Sequence, residues 1–290
     1  MERFKYLYVA IYFFAYLSSI SLYILIAFII WTEPSLHEPM YIFIFNLMIN
    51  GVFGITAFIP KLLIYLISGS VTISKEGCLL QAFCIQSSAC IDNLLFTIMA
   101  YDRYLAVGFP LRYPTLMTNG KTYKFIATIW IVILITQAPF VAGVASLPMC
   151  DITINSVFCD TMSLMKMSCG GSPLFNIFGG SMTFIQISFS ISIIFYCYIR
   201  TFVICLRISG DASLKAIHTL VTHLIAFSIF TVSIVFIALR YRVNNVSLSN
   251  TVYLAILMTG VSIFLTANPF IFGLRMEALR IKIFKKIKYI

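Results

Sequence analysis

Seven apolar stretches, each near the length a helix needs to cross a lipid bilayer, constrain this chain more than any other feature. They run over residues 6–31, 39–67, 78–102, 125–147, 176–205, 216–239 and 248–273. About 20 helical residues cover the roughly 30 Å of hydrocarbon. The first stretch has no charge between Lys5 and Glu33, which makes it too long for the apolar core of a cleaved leader. Period-2 alternation and short even spacing are missing, so the stretches read as helices rather than barrel strands. Composition agrees: 61% of residues are hydrophobic, 10% are charged, and the mean hydropathy is +0.99. A soluble domain would carry charge on about a quarter of its residues. The expected fold is an all-α membrane protein, a bundle of seven transmembrane helices forming one domain over residues 1–290.

Lys and Arg set the expected orientation. With residues 103–124 placed inside, thirteen of the twenty basic residues fall on that side. They are Arg103, Arg112, Lys121, Lys124, Arg200, Arg207, Lys215, Arg275, Arg280, Lys282, Lys285, Lys286 and Lys288. The bias predicts an extracellular N-terminus and a cytoplasmic C-terminus. It also accounts for the formal charge of +10 without invoking nucleic acid. Cys78, Cys150, Cys159 and Cys169 then share the outer, oxidising side, which favours two disulfides with three possible connectivities. Cys84, Cys90, Cys197 and Cys205 fall within spans and read as small packing residues. Asn245 opens an Asn-Val-Ser sequon in the outer loop 240–248, a glycosylation candidate. Three His without paired ligand spacing speak against a structural zinc site, and no metal or cofactor is implied.

The stretch TIMAYDRYLAVGFPLRYPTLMT, residues 97–118, ends an apolar span in an abutting acid and base, Asp102 and Arg103. Snorkelling to the headgroups explains Arg103 alone but not the acid beside it. Asp92 lies ten residues earlier inside the same span, where an ionisable group marks a functional site by default. With Asn50, Asn93 and Asn268 it forms either a weak cation site or a neutral acid hydrogen-bonded to those amides; exclusion of water favours the neutral form. The tail, residues 275–288, alternates apolar Met276, Leu279, Ile283 and Phe284 with basic residues and predicts an amphipathic helix on the anionic leaflet of the membrane.

These features lead to a resemblance that covers residues 36–280. LHEPMYIF (36–43), MAYDRYLAVGFPLRY (99–113), KAIHTLVTHL (215–224) and NPFIFGLR (268–275) stand in the order and places of motifs of the olfactory (odorant) receptors. Those are a family of class A G-protein-coupled receptors. Cys150, FCD (158–160) and SC (168–169) are similar to the three-cysteine second outer loop of that family, which implies the pairs Cys78–Cys159 and Cys150–Cys169. The resemblance implies a plasma-membrane receptor that binds a small odorant and activates a heterotrimeric G protein, most simply a stimulatory one that raises cyclic AMP. Asp102 would hold Arg103 at rest, and Tyr198 would support it once released, with Asn268 and Pro269 completing the switch. The ligand pocket would be lined by Ile85, Gln86, Ala89, Cys90, Met182, Gln186, Ile234, Ala238, Met258 and Ser262. None of these is an acid that could pair with an amine, so a neutral or weakly polar ligand is expected.

The pattern is broken at several positions. Tyr23 stands where the family has Asn, Gly51 where it has Asp, and Leu265 where it has Pro; Gly108 and Leu220 replace Cys, and Phe272 replaces Tyr. A divergent, non-signalling seven-helix protein is therefore the second reading. A transporter or channel is the third, and the odd number of spans and the lack of internal repeats argue against it. No HExxH, GxSxG or P-loop occurs in the sequence, so no enzyme activity is expected.

Overall fold

A computed structural model of the chain describes residues 5–69, 72–151, 157–169, 173–207, 211–239 and 250–287, without the side chains of 211–216, 238–239, 250–257, 264 and 287. The long helices are α1 (Lys5–Thr32), α2 (Pro39–Ser68) and α3 (Lys75–Gly108), then α5 (Asn119–Ala145), α7 (Pro173–Arg207), α8 (Asp211–Leu239) and α9 (Asn250–Arg275). Between them lie α4 (Tyr113–Leu116) and α6 (Thr161–Met167), and α10 (Glu277–Ile287) follows. Six of the long helices have the length and composition to cross a membrane, and α9 carries the seventh expected span.

Local chemistry sets the helix ends. Pro39, without an amide hydrogen, suits the first turn of α2. Gly69 ends that helix in the left-handed region at φ 77°, and its amide donates to the Tyr65 carbonyl at 2.9 Å. The Ser74 hydroxyl accepts the Gly77 amide at 3.1 Å to start α3, and Glu76 lies in that first turn. Thr118 caps α5 through the Lys121 amide at 3.3 Å, so this helix begins at Asn119, six residues before the apolar run that announced it. Helix α3 continues six residues past the expected limit of 102, which places Asp102 and Arg103 inside the helix rather than at its end. The two short helices had no counterpart in the sequence reading. Asp160 caps α6 through the Ser163 amide at 2.9 Å.

Helix α3 is the hub and packs against α2, α5, α7 and α8, while α9 closes the ring against α8, α1 and α2. The core runs through Phe43, Leu47, Ile55, Phe58, Ile91, Leu95, Phe96, Met258 and Phe272, all at most 2% exposed. Outward faces stay apolar: Trp31, Ile135 and Phe184 are well exposed, as expected where lipid rather than water surrounds the bundle.

At one end, called here the disulfide end, a smaller core gathers Cys78, Ala82, Val144, Cys159, Leu164 and Met165. At the other, the basic end, α10 folds back on α1 and buries Met276, Leu279 and Ile283. Lys282 pairs with Glu33 at 2.5 Å, and the Lys286 ammonium lies 4.7 Å from the centre of the Phe28 ring. That pair holds the Glu33 carboxyl below its ordinary range, chiefly through the hydrogen bond from Lys282.

Candidate functional site

The acid–base pair opens the site at the basic end. Asp102 is fully buried and its Oδ2 accepts from Arg103 Nε at 3.0 Å and from Nη2 at 2.5 Å. The Arg103 side chain keeps 18% of its surface exposed, so the acid is sealed while the base retains a little contact with the surroundings. The second oxygen, Oδ1, accepts the Tyr113 hydroxyl at 2.7 Å. Tyr113 comes from α4, in the loop after Pro110, and was not singled out by the sequence reading. The signal for it was the tyrosine of PLRY, close in sequence to an acid that needed a further donor. Burial, and then the negative charge of Asp102, pushes the Tyr113 phenol above its ordinary range, so it remains a donor at physiological pH. Tyr198 lies half-buried against the main core on α7. Asn268 and Pro269 are buried in α9.

Asp92 is 2% exposed and its Oδ1 accepts from Asn50 Nδ2 at 2.6 Å; the same amide also donates to the Ser88 carbonyl at 2.8 Å. Asn93 does not join it. Adjacent helical residues point about 100° apart, and Asn93 donates instead to Ser190 on α7 at 2.9 Å. The side-chain oxygen of Asn50, Oδ1, is buried without a partner. Among the described residues no group of three metal-ligating side chains occurs.

Nearer the disulfide end three glutamines converge on Cys90. Gln86 donates to its sulfur at 3.9 Å, Gln137 from α5 at 3.7 Å, and Gln186 from α7 to its carbonyl at 3.1 Å. Gln137 was missed by sequence reasoning, because nothing in a lone glutamine of an apolar span says which way it faces. Ile85, Ala89 and Ile234 pack against the main core, Met258 is fully buried, and Ser262 is buried with its hydroxyl unpartnered. Met182, one helical turn from Gln186, is half-exposed. The side chain of Ala238 lies outside the described residues, and so does Asn245.

Disulfides join Cys78 to Cys159 and Cys150 to Cys169. Gln81 anchors the loop so held: its oxygen accepts the Cys159 amide at 2.9 Å, and its nitrogen donates to the Ala57 carbonyl at 2.8 Å.

The family model described as olfactory receptor matches residues 10–288. Mouse olfactory receptor 2V1 is 32% identical over 260 residues, covering 87% of this chain and 80% of that protein. Human olfactory receptor 6N1 is 31% identical over 277 residues, 95% of this chain and 88% of that protein. Human olfactory receptor 6F1 is 31% identical over 282 residues, with coverage of 94% and 88%. A match along nearly the whole helical bundle leaves one assignment: the chain belongs to the olfactory receptor family, multi-pass class A G-protein-coupled receptors that signal without being enzymes.

Proposed function

We propose that this receptor lies in the plasma membrane with its N-terminus outside and its C-terminus in the cytoplasm. It binds a small, neutral odorant in the disulfide-side half of the bundle. It then opens the Asp102–Arg103 pair towards a heterotrimeric G protein, a stimulatory one that raises cyclic AMP. The observation that carries this reading is the closed pair itself, with Asp102 sealed beneath Arg103 and shared with Tyr113. A buried carboxylate holding an arginine at the mouth of a bundle is a poor source of stability. It suits a two-state device, since its contacts can be exchanged for a partner's when a ligand favours the open form. The amides of Gln86, Gln137 and Gln186 supply polar handles without charge, which matches a neutral ligand. The basic residues of α10, Arg280, Lys285 and Lys286 among them, suit an anionic lipid surface.

The test is a cyclic AMP assay with a mixed panel of small odorants, applied to the wild type and to Arg103→Ala at matched surface levels. A response present in the wild type and lost in the variant is expected. A response that survives Arg103→Ala would overturn the switch assignment.

A further inference from the structure

Pro269 lies four residues beyond Leu265 within α9. Proline has no amide hydrogen, so the helical bond that the Leu265 carbonyl would accept from position 269 cannot form. Within the hydrocarbon no water can take its place, and a neighbouring group must satisfy the freed carbonyl. That group is Tyr23 on α1, whose hydroxyl donates to the Leu265 oxygen at 2.9 Å. The tyrosine is only 1% exposed. It reaches this place because residue 51 of α2 is glycine: a Cβ there would overlap the Tyr23 ring carbons and hydroxyl. Tyr23, Gly51 and Leu265, three separate departures in the sequence, meet at one point in space.

We propose that Tyr23 is a positioning residue whose hydroxyl replaces the amide missing at Pro269. It thereby holds the turn of α9 that carries Asn268 and Pro269 in the resting receptor. Tyr23 and Gly51 form one exchanged unit, in which the ring fills the space that Gly51 leaves on α2 and its hydroxyl reaches the backbone of α9 at Leu265. The thermal part of the test is independent of the signalling reading above, while the signalling part rests on it.

Tyr23→Phe removes the hydroxyl and keeps the ring. In the purified full-length receptor in detergent, its thermal midpoint is expected to fall by about 2 °C, the effect of one ordinary hydrogen bond in a chain of this size. Ligand-independent cyclic AMP per surface receptor is expected to rise about fivefold, because a bond of the resting state is lost. In a Pro269→Ala background the restored amide takes the Leu265 carbonyl, and Tyr23→Phe should change nothing. Gly51→Ala displaces the ring, so adding Tyr23→Phe to it should likewise have no further effect. Either background decides the matter if the other fails to fold. An unchanged thermal midpoint in Tyr23→Phe would overturn the proposal, as would a full effect persisting in either background. A thermal loss without a rise in basal signal would make Tyr23 merely structural and overturn its positioning role. Should the wild type answer no odorant, the coupling reading fails and the thermal cycle alone decides this one.

Discussion

The two oxygens of Asp102 divide their work, one accepting Arg103 and the other Tyr113. Removing the second donor weakens the hold on Arg103 without touching the charges. Tyr113→Phe is therefore expected to raise ligand-independent cyclic AMP by about tenfold or more, in line with loss of a hydrogen bond to a charged group, worth about 1.5–3 kcal/mol. The check is basal signal normalised to surface receptor; a basal level equal to wild type would mean that Tyr113 does not restrain the pair. The glutamine cluster makes a different prediction. Gln186→Leu keeps the volume near Cys90 but removes the amide that reaches its carbonyl. Once a responding odorant is found, the variant should need about tenfold more of any ligand that carries a hydrogen-bonding group, and a similar amount of a hydrocarbon analogue. Equal shifts for both ligands would place Gln186 outside the binding site.

At the scale of elements, α10 is held by buried Met276, Leu279 and Ile283 and by the half-buried Lys282–Glu33 pair. Glu33 has a depressed carboxyl in the folded receptor, so the pair contributes above the ordinary glutamate range and is lost as pH falls through the lowered value. The contribution is small, because both partners meet solvent and salt. Glu33→Gln should speed amide hydrogen exchange in residues 277–287 at neutral pH, after correction for intrinsic rates. Acidification should do the same in the wild type but add little in the variant. Identical exchange in the two proteins at neutral pH would show that apolar burial alone docks the helix. The other element-scale lesson concerns α3 and α5, whose ends lie six residues from the limits of their apolar runs. Hydropathy marks where lipid begins, whereas caps and hydrogen bonds decide where a helix stops.

Across the whole molecule, the two disulfides close loops of very different size. Cys78–Cys159 spans 81 residues and ties α3 to the long loop; Cys150–Cys169 spans 19 within that loop. Loop-closure entropy gives the longer link about 4–5 kcal/mol and the shorter about 3. Cys78→Ser should therefore lower the thermal midpoint and the surface level more than Cys150→Ser, measured by thermal unfolding in detergent and by surface labelling. The reverse order would mean that the inner loop, with its Met149–Ser168 bridge, organises the disulfide end.

What the sequence determined by itself was the set of long helices, because in lipid each span must satisfy its own backbone and the apolar run that does so is contiguous. The abutting Asp102 and Arg103 were legible for the same reason: their partnership is local. The tertiary structure decided whatever depends on residues far apart in the chain. It turned Asn93 away from Asp92, brought Gln137 to Cys90, and set Tyr113 on Asp102. It also joined Tyr23 to Leu265 across 242 positions. Read singly, Tyr23, Gly51 and Leu265 are three lost family residues. Packed together, the ring occupies the space a side chain at Gly51 would need, and the hydroxyl meets a carbonyl that proline left unbonded. Complementarity of that kind belongs to pairs of surfaces, and no single stretch of sequence contains it.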